Sequence, residues 1–221
     1  MRFLTEELYQ KKLLFPFFAD DGLCLEEIKL EYVPEMDEFF QQELLARDEW
    51  YLRYLPETLK NKLFNSAGEV IIQHLDEALL KEIEAFCLKT DKEWCAAKAK
   101  AESLRQQVKA RNAAGLNDFL AMQLADSEIE QIKGLDTEEV TIKIYPAWDF
   151  SKTVWLTFSG VKDSWMGKMH RDDANWWLVD EINIDEERAD RYELRVLFGH
   201  ADYVGQLQLS FTDVAVRIEN N

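Results

Sequence analysis

The chain has 221 residues, of which 47% are hydrophobic and 12% aromatic, so it can form a packed core and is not a disordered polypeptide. Its 43 acidic and 26 basic residues give a formal net charge of −17, which excludes a protein that neutralises nucleic-acid phosphates along a basic surface. The same charge favours a basic protein as partner through electrostatic steering, although it also serves solubility.

The cysteines and the apolar runs indicate the compartment. Cys24, Cys87 and Cys95 are odd in number and form no CxxC pair, which is typical of a reducing environment. The first residues lack the apolar stretch of a secretory signal, and no run reaches the roughly 20 apolar residues that span a bilayer. We therefore expect a cytoplasmic protein that does not enter a membrane.

Two capping boxes set helix boundaries in the first half of the chain. Ser66 with Glu69 predicts a helix over 66–88, and Thr90 with Glu93 predicts a separate one after it, because the hydroxyl and the carboxylate can each accept from the other's backbone amide. The second helix carries an apolar stripe with a spacing of three and four: Trp94, Ala97, Ala101, Leu104 and Val108. This stripe packs within a monomer or joins a homodimer through helices 66–112.

A third box, Ser127 with Glu130, and Gly134 as a helix stop extend the helical region to residue 134. Beyond it, apolar residues alternate, as in strands. We predict an α+β protein in which a helical region, 1–134, packs on an antiparallel sheet of about five strands, 135–221. In the last strand the apolar set shifts at Thr212-Asp213, which predicts a β-bulge.

The Trp-rich central hairpin of the sheet covers 175–198. Simple alternation places Trp176, Asp180 and Ile182 on one face and Trp177 with Glu181 on the other. Because each indole gains by leaving water, we expect both faces to be covered near the two tryptophans.

The strand segments WLVDEI at 177–182, YELRVLF at 192–198 and LSFTDV at 209–214, with MRFLT at the start, resemble a small family of uncharacterised bacterial proteins. The resemblance covers about the last third of the chain and its first residues, and is poorest over 66–133. It implies a bacterial source and a β module, and it implies no activity.

Asp180 and Glu181 are the acids with the most interesting positions. Asp180 lies in register with apolar residues, so a buried carboxylate without a partner would have a raised pKa and could serve as a general acid or base, with Glu181 beside it. Alternatively Arg191 or Arg195 on the neighbouring strand pairs with Asp180, or a bulge turns it outward. A structural role is the simpler interpretation.

His170 with Asp172 and His200 with Asp202 share an H-x-D spacing, which on a strand puts an imidazole and a carboxylate on one face and could hold a metal. A chain this acidic also produces such pairs by chance. We therefore predict no metal and no cofactor, and keep these four residues as alternatives.

Tryptophans and an acidic loop are the candidate binding residues. Five of the seven tryptophans, Trp148, Trp155, Trp165, Trp176 and Trp177, lie within thirty residues. Exposed indoles bind partners, whereas buried ones build a core. The predicted set comprises Trp155, Trp176 and Trp177 with the hairpin loop residues Asp185, Glu186 and Asp190.

No phosphate loop, nucleophile elbow or HExxH motif occurs in the sequence. We therefore expect a non-enzymatic interaction protein of the inhibitor, immunity or adaptor type. The alternative is an unrecognised hydrolase or small-ligand binder with a pocket between the helices and the sheet.

Overall fold

The computed structural model describes residues 2–15, 35–167, 175–185, 188, 190–200 and 203–221. Over these residues the chain forms six helices and one antiparallel sheet, which confirms the α+β class. The helices are α1 Glu6–Leu13, α2 Glu35–Ala46, α3 Asp48–Tyr54, α4 Glu57–Leu63, α5 Glu77–Lys109 and α6 Ala114–Leu120. The strands are β1 Ser127–Lys133, β2 Glu139–Tyr145, β3 Lys152–Ser159, β4 Asp163–Met166, β5 Trp176–Ile184, β6 Tyr192–His200, β7 Tyr203–Phe211 and β8 Asp213–Asn220.

The chain divides into two compact units. The helical unit is Glu7–Ala97, and the sheet unit is Met1–Glu6 with Lys98–Asn221. The 33-residue helix α5 contributes its first part to the helical unit and its last part to the sheet unit. None of the helices in the described part of the chain combines the length and the apolar character needed to cross a bilayer.

The helical unit packs α2, α3, α4 and the start of α5 around aromatic and aliphatic side chains. Pro56 separates α3 from α4, because a proline ring has no amide hydrogen to continue a helix. The core includes Leu14, Phe15, Phe40, Leu44, Tyr51, Leu59, Leu63 and Ile83.

The segment 66–76 is not helical, so the first capping box was wrong. Asn65 Oδ1 accepts from the amides of Ala67 and Glu69 and holds a tight turn, in which Gly68 has a φ of 82°. Helix α5 begins only after Asp76, whose carboxylate accepts from the amide of Leu79 at 2.7 Å.

The second box does not begin a helix either, because α5 runs through Thr90 without interruption. Neither glycine nor proline occurs between 77 and 109 to stop it. The apolar stripe at Trp94, Ala97, Ala101 and Val108 is buried within the single chain. Pairing of two copies through 66–112 stays a prediction.

Over the described residues the sheet has eight strands in the order β4-β7-β6-β5-β1-β2-β3-β8, not about five. The helix predicted from Ser127 up to Gly134 is wrong, because Ser127–Lys133 form strand β1. A register shift between Ile129 and Gln131 puts Ile129 and Ile132 three apart on the strand, which imitates a helical spacing. Strand β4 has only four residues. The predicted last strand is two strands, β7 and β8, which lie at different places in the order.

Thr212 is the only residue between β7 and β8. Phe211 pairs with Tyr192 on β6, whereas Asp213 pairs with Ser159 on β3. The shift in apolar phase at Thr212-Asp213 thus marks a change of partner strand rather than a bulge within one ladder. Because β7 and β8 lie near opposite ends of the order, the sheet curls on itself.

The inner face of the curled sheet forms the core of the sheet unit, with α6 packed on β8. A Cβ on Gly115 of α6 would lie 1.9 Å from the carbonyl oxygen of Val214, so only glycine permits this approach. The core includes Val140, Ile142, Leu156, Phe158, Trp177, Ile182, Leu194, Val196, Phe198, Leu209 and Phe211.

Candidate binding surfaces

The two adjacent tryptophans differ in exposure. Trp177 is fully buried, whereas Trp176 is partly buried. A register shift between Trp177 and Val179 leaves Leu178 as an extra residue, so Trp177 and Asp180 share the inner face. The alternation predicted for 176–184 was therefore wrong across the bulge: Trp177, and not Trp176, shares a face with Asp180. The Trp177 ring is in the core and cannot bind a partner.

Asp180 is held in an ion pair from a helix. Nη1 of Arg105 on α5 donates to Asp180 Oδ2 at 2.7 Å, and Nε1 of Trp177 donates to Oδ1 at 3.1 Å. Arg191 instead donates to oxygens of Gly160 and Ser210, and Arg195 to Glu193. Asp180 is thus a paired structural acid, with a partner that sequence alternation could not indicate.

Glu181 points to the outer face and is 1% exposed. Its carboxylate accepts from the backbone amides of Arg2, Phe3 and Leu4 at 3.0, 3.1 and 3.2 Å. Several amide donors satisfy a buried carboxylate. Glu181 therefore fastens the start of the chain to β5.

The other predicted acids and histidines give no assembled site. Asp185 is partly buried and Asp190 exposed, while Glu186 lies outside the described residues. So do His170, Asp172 and Asp202 of the metal alternative, and only the backbone of His200 is described. Among the residues that the structure describes, no three His, Cys, Asp or Glu side chains are grouped so as to hold a metal.

Trp155 lies between two cations on the outer face of β2, β3 and β8. The register places Lys143 and Arg217 directly on either side of it. Lys143 Nζ is 5.6 Å and Arg217 Cζ 5.3 Å from its ring centroid, and its Nε1 donates to Glu219 at 2.8 Å. A cation is attracted to the electron-rich face of an indole ring, so both contacts help to hold the Trp155 ring in place. The indole is therefore fixed in orientation and half-buried.

Acids balance the cations of this face. The hydrogen bond from Lys143 lowers the pKa of the Glu130 carboxyl, and the same bond raises the pKa of Lys143. Hydrogen bonds from Ser151 lower the pKa of Asp149. Glu130 pairs with Lys143 and Glu219 with Arg217, so each cation beside Trp155 has an acidic partner.

Three exposed apolar side chains, Trp148, Phe150 and Ile218, form what we call the aromatic end of the sheet. Their exposed fractions are 46%, 62% and 50%. Trp148 and Phe150 lie in the turn between β2 and β3, and Ile218 is on β8 opposite Val154. Asn221 donates through its backbone amide to Ser151 O at 2.8 Å and through Nδ2 to Phe150 O at 3.2 Å, so β8 and the turn are held together.

Trp148 belongs to the cluster of five tryptophans, but neither Trp148 nor Phe150 is among the predicted site residues. A signal was available: two aromatic residues in a short turn with Pro146, Asp149 and Ser151. Turns lie at the surface, so aromatic side chains there are exposed unless another element covers them.

The helical unit contains a groove of about 580 Å³ between α1, α3, α4 and α5. Its lining includes the apolar residues Leu55, Leu59 and Phe86 and the charged residues Lys11 and Glu93. None of the candidate acids of the hairpin lines it.

Comparison with known protein families gives a match. A family model described as "Protein of unknown function (DUF4085)" matches residues 20–204. This confirms the resemblance to an uncharacterised family and corrects its extent, because the match includes residues 66–133 and leaves out 1–5 and 209–214. No curated protein matches the chain.

Proposed function

Because the chain belongs to the DUF4085 family of proteins of unknown function, which assigns it no activity, we propose a function from its surface: a non-enzymatic protein-interaction module that docks a basic protein. The observation that carries the proposal is the exposure of Trp148, Phe150 and Ile218 on one end of the sheet. The proposed setting is the cytoplasm of a bacterium.

The aromatic end has the properties of a binding anchor. Interfaces draw most of their affinity from a few large side chains, aromatic ones especially, that become fully desolvated. Two of the three residues are aromatic, and hydrogen bonds to Asn221 and within the Asp149–Ser151 turn fix their backbone before binding. A preformed anchor loses little conformational entropy on binding.

The charge of the chain supplies the preference for a basic partner. At −17 the chain attracts a cationic protein over distances of about the Debye length, roughly 8 to 10 Å at physiological salt. At the aromatic end Asp149 pairs with Lys152 at 3.4 Å, so the end can be desolvated without burying an unpaired charge. Steering and anchoring therefore come from different parts of the surface.

The hydrolase alternative has less support. Asp180 is paired with Arg105, and Glu181 accepts three backbone amides, so neither carboxylate is poised to exchange a proton with a substrate. The groove of the helical unit is lined by residues between Lys11 and Glu93, so neither Asp180 nor Glu181 is part of it.

The test is capture from a lysate of the source organism with three baits at low and high salt. The baits are the wild type, the double variant Trp148→Ser/Phe150→Ser, and the control Leu45→Ser/Ile71→Ser, which removes two exposed apolar side chains of the helical unit. We expect one stoichiometric basic protein on the wild type and the control, lost from the double variant and weakened by salt.

The captured protein is then purified and titrated against each bait. We expect the double variant to bind at least about tenfold more weakly than the control. Equal affinities, or no stoichiometric protein on the wild type, would reject the aromatic end as the docking surface.

A further inference from the structure

A row of side chains crosses the outer face of four neighbouring strands. The register places Trp165 of β4 opposite Gln208 of β7, Gln208 opposite Arg195 of β6, and Arg195 opposite Glu181 of β5. Directly opposed residues have Cβ atoms about 4.5–5.5 Å apart and point to the same face. The row therefore runs from an aromatic ring on β4 to Glu181 on β5, and the first residues of the chain cover it only at the Glu181 end.

Trp165 is the exposed end of this row, with 57% of its surface accessible. Its ring extends over Gly167, since a Cβ on that glycine would lie 3.7 Å from Cη2 of the indole. The indole therefore runs along the strand instead of projecting from it. It is a flat apolar platform next to polar side chains.

Glu193 holds the polar side chains beside Trp165 in fixed orientations. Its Oε1 accepts from Nη2 of Arg195 at 2.7 Å and from Nε2 of Gln208 at 2.8 Å, and its Oε2 accepts from Nδ2 of Asn183 at 3.3 Å. One carboxylate thus orients a guanidinium and two amides. Planar groups held in this way can offer donors and acceptors at fixed positions.

Part of this cluster is open to solvent. The side chains of Arg195 and Glu193 keep 19% and 15% of their surface exposed, and Gln208 is partly buried. Asn183 is only 2% exposed, so it helps to orient Glu193 and does not itself reach a ligand.

We propose that the face formed by Trp165, Gln208, Arg195 and Glu193 binds a neutral saccharide. A pyranose has a face of C–H groups that packs on an indole, and hydroxyls around its rim that pair with amides and guanidinium. The ligand is neutral because Glu193 already offsets the charge of Arg195. An anionic polymer such as nucleic acid is disfavoured by the −17 net charge.

This site is separate from the aromatic end and does not depend on the proposed docking. Trp165 is on β4 and pairs with Gln208 of β7, whereas Trp148 follows β2 and Ile218 is on β8 opposite Val154, so the two surfaces share no residue. The two tryptophans therefore provide a matched pair of variants, each of which removes one exposed indole.

The experiment titrates the full chain with four neutral oligosaccharides, the hexaoses of β-1,4-glucose, α-1,4-glucose, β-1,4-N-acetylglucosamine and β-1,4-mannose. Binding is measured by calorimetry and by saturation-transfer NMR. The proteins are the wild type, Trp165→Ala, Gln208→Ala and the control Trp148→Ala, each checked for an unchanged unfolding midpoint.

We expect at least one hexaose to bind the wild type and the control equally, with affinity reduced at least about tenfold in Trp165→Ala and reduced also in Gln208→Ala. The NMR signals should show the sugar C–H groups near the indole. No binding of any of the four, or binding that Trp165→Ala leaves unchanged, would overturn the proposal.

Discussion

Nη1 of Arg105 lies 2.7 Å from Oδ2 of Asp180, although the residues are 75 positions apart in the chain. The same guanidinium donates through Nη2 to the carbonyl oxygen of Leu120 at 3.0 Å. Arg105 therefore connects three segments of the sheet unit: α5, the end of α6 and strand β5. The ion pair is mostly shielded from solvent, with side-chain exposures of 21% and 17%.

Replacing Arg105 with methionine should destabilise the chain substantially. The variant keeps an apolar stem but leaves the Asp180 carboxylate mostly buried without a cation, and it removes a donor from Leu120 O. We expect a loss of about 2–3 kcal/mol in the free energy of unfolding. Urea denaturation measures it.

Arg217→Met is the matched control, because Arg217 pairs with Glu219 at the surface. An exposed pair contributes about 0–1 kcal/mol. Equal losses in the free energy of unfolding would show that the Arg105–Asp180 pair contributes no more to stability than an exposed pair.

Replacing Glu181 with glutamine should release the first residues of the chain. In the wild type both carboxylate oxygens of Glu181 accept hydrogen bonds from the backbone amides of residues 2–4. In the variant only one oxygen remains, and the new NH₂ group faces an amide that also donates. We expect a loss of about 1.5–3 kcal/mol. Hydrogen exchange at Phe3 and Leu4 should quicken, while Glu138→Gln, at an exposed acid, should leave it unchanged.

The regular strands were predictable and the irregular ones were not. In β2, β3 and β6 the side chains alternate without interruption, so simple periodicity located them. In β5 the extra residue Leu178 reverses which side chains share a face, and in β1 the register shift imitates a helical spacing. A bulge is set by pairing with another strand, so one strand's own sequence does not reveal it.

The candidate site shows the same limit. Trp155 was identified because it alternates with buried residues on β3, and the structure confirms that it lies on the outer face. Arg105 was not identified as the partner of Asp180, since it lies on α5 and only tertiary packing brings it to the strand. Periodicity therefore finds faces, whereas contacts between distant elements need the fold.

Gly115→Ala should separate α6 from β8. The new Cβ would meet the carbonyl oxygen of Val214 at 1.9 Å, a backbone atom that cannot move aside without shifting the strand. We expect a loss of about 1–3 kcal/mol. Gly167→Ala is the control, since its Cβ would find no atom closer than 3.5 Å. Equal unfolding midpoints for the two variants would show that α6 does not pack as described.

The Cys87 thiol should make stability depend on alkaline pH. Burial raises its pKa from 9.0 to about 12. The folded chain therefore keeps the thiol protonated after the unfolded chain has begun to lose the proton. The stabilising contribution is complete below about pH 9 and falls as the pH rises toward 12, by up to about 1.4 kcal/mol per pH unit.

Comparison of the wild type with Cys87→Ala isolates this contribution, because the other groups that titrate in the same range are common to both proteins. Between about pH 8 and about pH 10 the wild type should lose about 1 kcal/mol more than the variant, as measured by urea denaturation. The native thiol should also react slowly with iodoacetamide, since the thiolate is the nucleophile. Parallel pH dependence in the two proteins, together with rapid alkylation of Cys87, would mean that the thiol is open to solvent.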